Sequence, residues 1–151
     1  DLDEIFLPMG IAEENGRLPL KRGPKALQEK GIPYYHLTKK GILVGLAING
    51  IENMISQSKE FFSKSDQKEK EFEKILTKFM TTSPTFTYSI FQKYVKAFCE
   101  NQIEELLPFD LSKLQDILDE DLIIQKEIVL AFGKLPNQEK KETIAFLEKI
   151  T

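Results

Sequence analysis

Between Arg17 and Lys40 the chain places Arg17, Lys21, Arg22, Lys25, Lys30, Lys39 and Lys40 against one acid, Glu29, a local charge of +6 in 24 residues. Guanidinium and ammonium groups at this density form an anion-binding surface. The surroundings have the opposite sign: residues 1–16 carry −5 and the stretch after residue 40 carries −4, so the whole chain is −3. That balance excludes a protein that coats nucleic acid with its entire surface, and any anion contact must be local. Tyr34 and Tyr35 stand beside the basic residues, and on a strand one would face inward and the other outward. The alternative reading of the same lysines is a solvated loop that keeps the chain in solution.

Other reactive residues form no constellation. His36 is the single histidine, and without a second ligand at helical spacing it points to a surface or hairpin-packing role, not a metal site. Cys99, the single cysteine, follows Val95 and Phe98 and is expected to be a buried or half-buried small hydrophobe, since no histidine is left to act as its base. Gly41 and Gly45 lack the Lys-Ser/Thr ending of a phosphate loop and suit close helix packing instead. The carboxylates Asp116, Asp119, Glu120 and Asp121 read as a solvated face at a helix junction. No catalytic residue, metal site or cofactor is expected, and the chain does not read as an enzyme.

The elements that would hold the basic segment follow from spacing and punctuation. Leu2, Ile5, Phe6 and Met9 predict a short helix despite Pro8. Pro19, Gly23, Pro24, Gly31 and Pro33 exclude a continuous helix through the basic region. Ile32 to Thr38 is aromatic and β-branched and predicts a strand, with Pro33 at its start, and Arg17 to Leu20 is its candidate partner. Between them Pro24 and Gly31 bracket a long loop or a helical turn or two. Thr38 is a good N-cap for a helix over about Lys39 to Ser56, loosened near Asn49-Gly50. Helical segments are also predicted over Lys59 to Met80, broken by the polar stretch 63–71, after Ser83-Pro84, after Asp110 (Leu111, Leu114, Ile117, Leu118), over Leu122 to Phe132 stopping at Gly133, and after Asn137. The fold class is therefore mainly α: a short β-hairpin near the N-terminus, then a multi-helix bundle. Two parts are expected, residues 1–56 with the basic hairpin and its following helix, and an all-helical domain over 57–151. Most of the eleven phenylalanines should be core.

Tyr35, Leu37, Thr38 and Gly41 match the Tyr-x-Leu-Thr-x-x-Gly pattern of archaeal and bacterial winged-helix transcription regulators, which this stretch resembles over roughly the first 50 residues. The resemblance implies that the strand returns from a wing and that Leu2 to Met9 is the tail of a recognition helix. On that reading the helices ahead of it belong to a longer polypeptide of which this chain is a piece. It further implies double-stranded DNA as partner, touched by Arg17, Lys21, Arg22, Lys25, Lys30, Tyr35, Lys39 and Lys40 at phosphates or the minor groove, and C-terminal helices that build a homodimer or contact an effector. The competing reading is an all-helical protein-interaction or scaffold domain with no nucleic-acid binding. The longest nearly apolar run, residues 41–51, is too short to span a bilayer, no signal peptide is visible, and one cysteine suits a reducing compartment. The expected setting is cytoplasmic.

Overall fold

A computed structural model of the chain describes residues 1–63, 65–117 and 119–151, without the Leu27 side chain. The fold is mainly α with one short antiparallel hairpin near the N-terminus and a helical bundle after it. Leu118, in the helical stripe expected after Asp110, lies outside the described residues.

Strands β1 (Ala12–Leu18) and β2 (Ile32–Leu37) pair antiparallel, Ala12 opposite Leu37 and Leu18 opposite Ile32, with a bulge between Glu14 and Gly16. The first strand begins at Ala12, earlier than the expected Arg17, and stops before Pro19, which has no amide hydrogen to give a ladder. A short helix, α1 (Lys25–Lys30), occupies the hairpin's far end. Gly31 closes it at φ +71°, the left-handed conformation that glycine adopts at least cost. Ahead of β1, Leu2–Phe6 form one π-helical turn rather than a helix reaching Met9.

The predicted helix over 39–56 is two. Helix α2 (Lys39–Ile48) ends at Asn49, Gly50 turns the chain at φ +76°, and α3 (Met54–Phe62) begins four residues later. Then come α4 (Gln67–Thr82), capped by the Asp66 carboxylate on the Glu69 amide, and α5 (Pro84–Cys99), with proline in its first turn. Helices α2 and α5, α4 and α5, α2 and α3, and α3 and α4 pack pairwise into a bundle. Its core contains Leu43, Leu46, Met54, Phe61, Leu76, Phe91 and Tyr94.

Phe109, in the loop after α5, plugs one end of this bundle. Its ring meets Phe61 and Tyr94 edge-on at centroid distances of 5.4 and 5.0 Å and stacks on Phe91 at 6.0 Å, geometries worth about 0.5–1.5 kcal/mol each beyond burial. A 3₁₀ turn, Leu111–Leu114, follows under an Asp110 cap.

The chain divides into two compact units, Asp1–Gln115 and Asp116–Thr151. Elements on both sides of residue 56 belong to the first. The second holds α6 (Glu120–Lys134), capped by Asp119, and α7 (Asn137–Ile150). Helix α6 runs through Gly133, its expected stop, and ends instead ahead of Pro136. Among the described residues no helix is long and apolar enough to cross a membrane.

Candidate nucleic-acid interface

The hairpin is fastened to the bundle at its base. The Thr38 hydroxyl accepts from the Gly41 amide at 3.1 Å, the N-cap bond that opens α2, and donates to the Gly10 carbonyl at 2.6 Å. The Thr38 amide donates to the Ile11 carbonyl at 3.0 Å. That carbonyl packs so closely on the first turn of α2 that a Cβ at position 41 would lie 2.0 Å from its oxygen. Threonine and glycine three residues apart therefore have separate jobs: one bonds β1's entry to β2's exit, and the other leaves room for that approach.

From this base the strands carry the basic residues away to residues 19–31. Lys21, Arg22, Lys25 and Lys30 are all exposed there, with α1 presenting the last two at its ends. Arg17 sits at the edge of the group. Its Nε donates to Glu14 Oε1 at 2.8 Å across the bulge and a terminal nitrogen reaches the Lys30 carbonyl at 3.4 Å, so it also ties the tip's return to β1. Glu13 pairs with His36 at 3.0 Å on the opposite strand, a packing role for the histidine. Of the two tyrosines, Tyr34 is the exposed one and lies against Gly16, while Tyr35 is half-buried opposite Glu14.

Lys39 and Lys40 are not with this group. Lys39 forms an ion pair with Glu69 and lies 5.1 Å from the Phe61 ring centroid. Lys40 lies 4.9 Å from that of Phe98. Both sit in the first turn of α2, which faces the bundle, and their half-burial follows from that. The structure thus gathers Arg17, Lys21, Arg22, Lys25 and Lys30 at the hairpin tip and draws Lys39 and Lys40 into the helices. Among the described residues no group of histidine, cysteine and carboxylates is arranged to hold a metal ion. Cys99, the last residue of α5, is exposed rather than buried.

The chain was compared with models of protein families, with curated proteins and with solved structures. None matches.

A residue the sequence reading passes over ties the start of α2 to α4 and to the loop after α5. Glu69 is only 3% exposed. One carboxylate oxygen takes the Lys39 ammonium and the other accepts the Phe109 amide at 3.0 Å. Burial pushes its pKa up, but the Lys39 hydrogen bond and the Phe109 amide outweigh it and hold the carboxyl below the ordinary value. Next to it Asp110, bonded first by Lys68 and then by Ser112, is lowered to about 2. Tyr94 links the same loop to α5, donating to the Leu106 carbonyl at 3.1 Å and accepting from the Asp110 amide at 3.4 Å. The usable signal for Glu69 is Asp66-x-x-Glu69, a capping-box spacing in the polar run that opens α4.

Proposed function

We propose that this chain is part of a DNA-binding regulator whose hairpin tip contacts the duplex. The observation that carries this reading is the exposed cluster Lys21, Arg22, Lys25 and Lys30 at the far end of a two-stranded hairpin, in a chain that is otherwise acidic. Lys25 and Lys30 stand on the short helix and Lys21 and Arg22 in the loop ahead of it, and each phosphate they neutralise releases condensed counterions. Arg17, next in line on β1, has its guanidinium engaged by Glu14 and the Lys30 carbonyl and braces the tip. The contact is electrostatic and positions the protein. It carries no base readout of its own.

The fastening described above supports the same role. A hairpin bonded to its bundle by Thr38 and seated on Gly41 transmits a fixed orientation to its tip, which a solvating loop does not need. Fluorescence anisotropy with a labelled random duplex at low salt tests the proposal. Wild type binds, Arg22→Glu with Lys25→Glu does not, and Lys40→Ala binds as wild type does. Equal affinity for wild type and the charge-reversed chain would overturn it. A second reading, a helical protein-interaction domain, is favoured by the apolar side chains that α6 and α7 leave exposed.

A further inference from the structure

The second unit, Asp116–Thr151, has two helices and, among its described residues, no buried one. On α6, Ile123, Ile124, Ile128, Val129 and Leu130 are 51–68% exposed. At 100° per residue these five positions are spread around the whole circumference, separated only by Gln125, Lys126 and Glu127. A helix that is apolar all round belongs in an interior. On α7, Ile144, Phe146, Leu147 and Ile150 form a stripe at three- and four-residue spacing, also exposed. Helices of this length are marginal in water without tertiary packing, and a unit below about 40 residues usually needs a staple or an oligomer to fold. Among the described residues this unit has no metal cluster, and the chain's one cysteine is outside it.

We infer that the occupant of this surface is a second copy of the same unit, and that two chains associate through α6 and α7 into a shared helical core. Two features favour a copy over a foreign partner. From Leu122 to Ile150 the segment carries five lysines and four glutamates, so the face neither repels its own kind nor selects a strongly charged partner. Its charge is also self-complementary: Asp119, Glu120 and Asp121 stand at the start of α6 and Lys134 at its end, which brings opposite signs together when two α6 helices run antiparallel about a two-fold axis. The area is of the right size. Nine half-exposed large side chains, each offering on the order of 100 Å², give roughly 900 Å² per chain, against about 800 Å² per partner in a stable interface.

Sedimentation velocity on the full chain over a concentration series tests this. The expected result is a reversible shift from a 17.4 kDa species to one of twice that mass. Ile124→Asp with Ile128→Asp should weaken association at least about 1000-fold. In that variant the unfolding transition of the α2–α5 bundle, followed through its buried tyrosine, should stay in place, which separates lost association from lost folding. A wild-type chain that stays at 17.4 kDa to about 100 μM, or a double variant that dimerises as tightly as wild type, would overturn the inference. So would protection of α6 amides from hydrogen exchange in a monomer, because the face would then be covered by the chain itself.

Discussion

Replacing Gly41 by alanine gives opposite signs depending on whether helix propensity or the seat of the hairpin decides. Inside a helix, glycine to alanine ordinarily stabilises by about 0.5–1 kcal/mol. At position 41 the added Cβ would meet the Ile11 carbonyl oxygen at 2.0 Å and its carbon at 3.0 Å. An unstrained carbon–oxygen contact is about 3.3 Å, so the strand entry must withdraw by more than 1 Å. That movement pulls on the Thr38 amide bond to Ile11 and on the Thr38 hydroxyl bond to Gly10. Two hydrogen bonds at about 0.5–1.5 kcal/mol each, with the strain of overpacking at about 1–3 kcal/mol, exceed the propensity gain. The net expectation is a loss of roughly 1–5 kcal/mol. Urea unfolding followed by circular dichroism reads it as a lower midpoint at unchanged slope. Two other helix glycines are controls. A Cβ at Gly133 meets nothing within 4 Å, and one at Gly45 meets only side-chain amides, Asn49 Nδ2 at 3.3 Å and Gln57 at 3.9 Å, so alanine at either leaves stability unchanged or raises it. A Gly41→Ala chain as stable as wild type or more so would refute the seating argument.

Other consequences follow from the polar contacts at the bundle end. Glu69→Leu leaves the Phe109 amide without its acceptor and Lys39 without its carboxylate, a loss of about 3–5 kcal/mol on thermal or urea unfolding, and adding Lys39→Met recovers much of it. If the single and double variants unfold alike, the pair is not coupled. Tyr94→Phe removes the donor to the Leu106 carbonyl and should cost about 1–2 kcal/mol by the same assay, a neutral result counting against that bond. Asp110 and Glu69 both titrate lower in the fold than in the unfolded chain, so their contribution is complete above the ordinary carboxylate values of 3.8 and 4.5. Stability should fall as pH drops below those values, the Asp110 part being lost between 3.8 and about 2. In a chain carrying Asp110→Asn that low-pH slope should be shallower; an identical slope would remove Asp110 from the account.

Local chemistry made some of this readable and spatial neighbours made the rest unreadable. Thr38 shows in the sequence as a cap because capping involves only the next turn, and β2 shows because Ile32 to Leu37 is aromatic and β-branched. Strand β1 does not show over Ala12-Glu13-Glu14-Asn15-Gly16, a poor strand former that is extended because β2 gives it a ladder. The seven cations of residues 17–40 look equivalent in sequence, yet Lys39 meets a carboxylate 30 positions away and Lys40 a ring 58 positions away, contacts no periodicity encodes. Phe109 shows least of all, being a single ring in a loop with no helical stripe to mark it as the plug of the core. Gly50, by contrast, was a visible weak point in the 39–56 stripe, and there the helix breaks.

The most direct test of the central claim is the salt dependence of duplex binding. With four exposed tip cations and about −0.9 in slope per phosphate neutralised, log Kobs against log salt should fall with a slope of roughly −3 to −4. Arg22→Ala with Lys25→Ala should make that slope shallower by about 2 while Lys40→Ala leaves it unchanged. Absence of binding at low salt, or a slope indifferent to Arg22 and Lys25, would contradict the assignment of the hairpin tip to DNA.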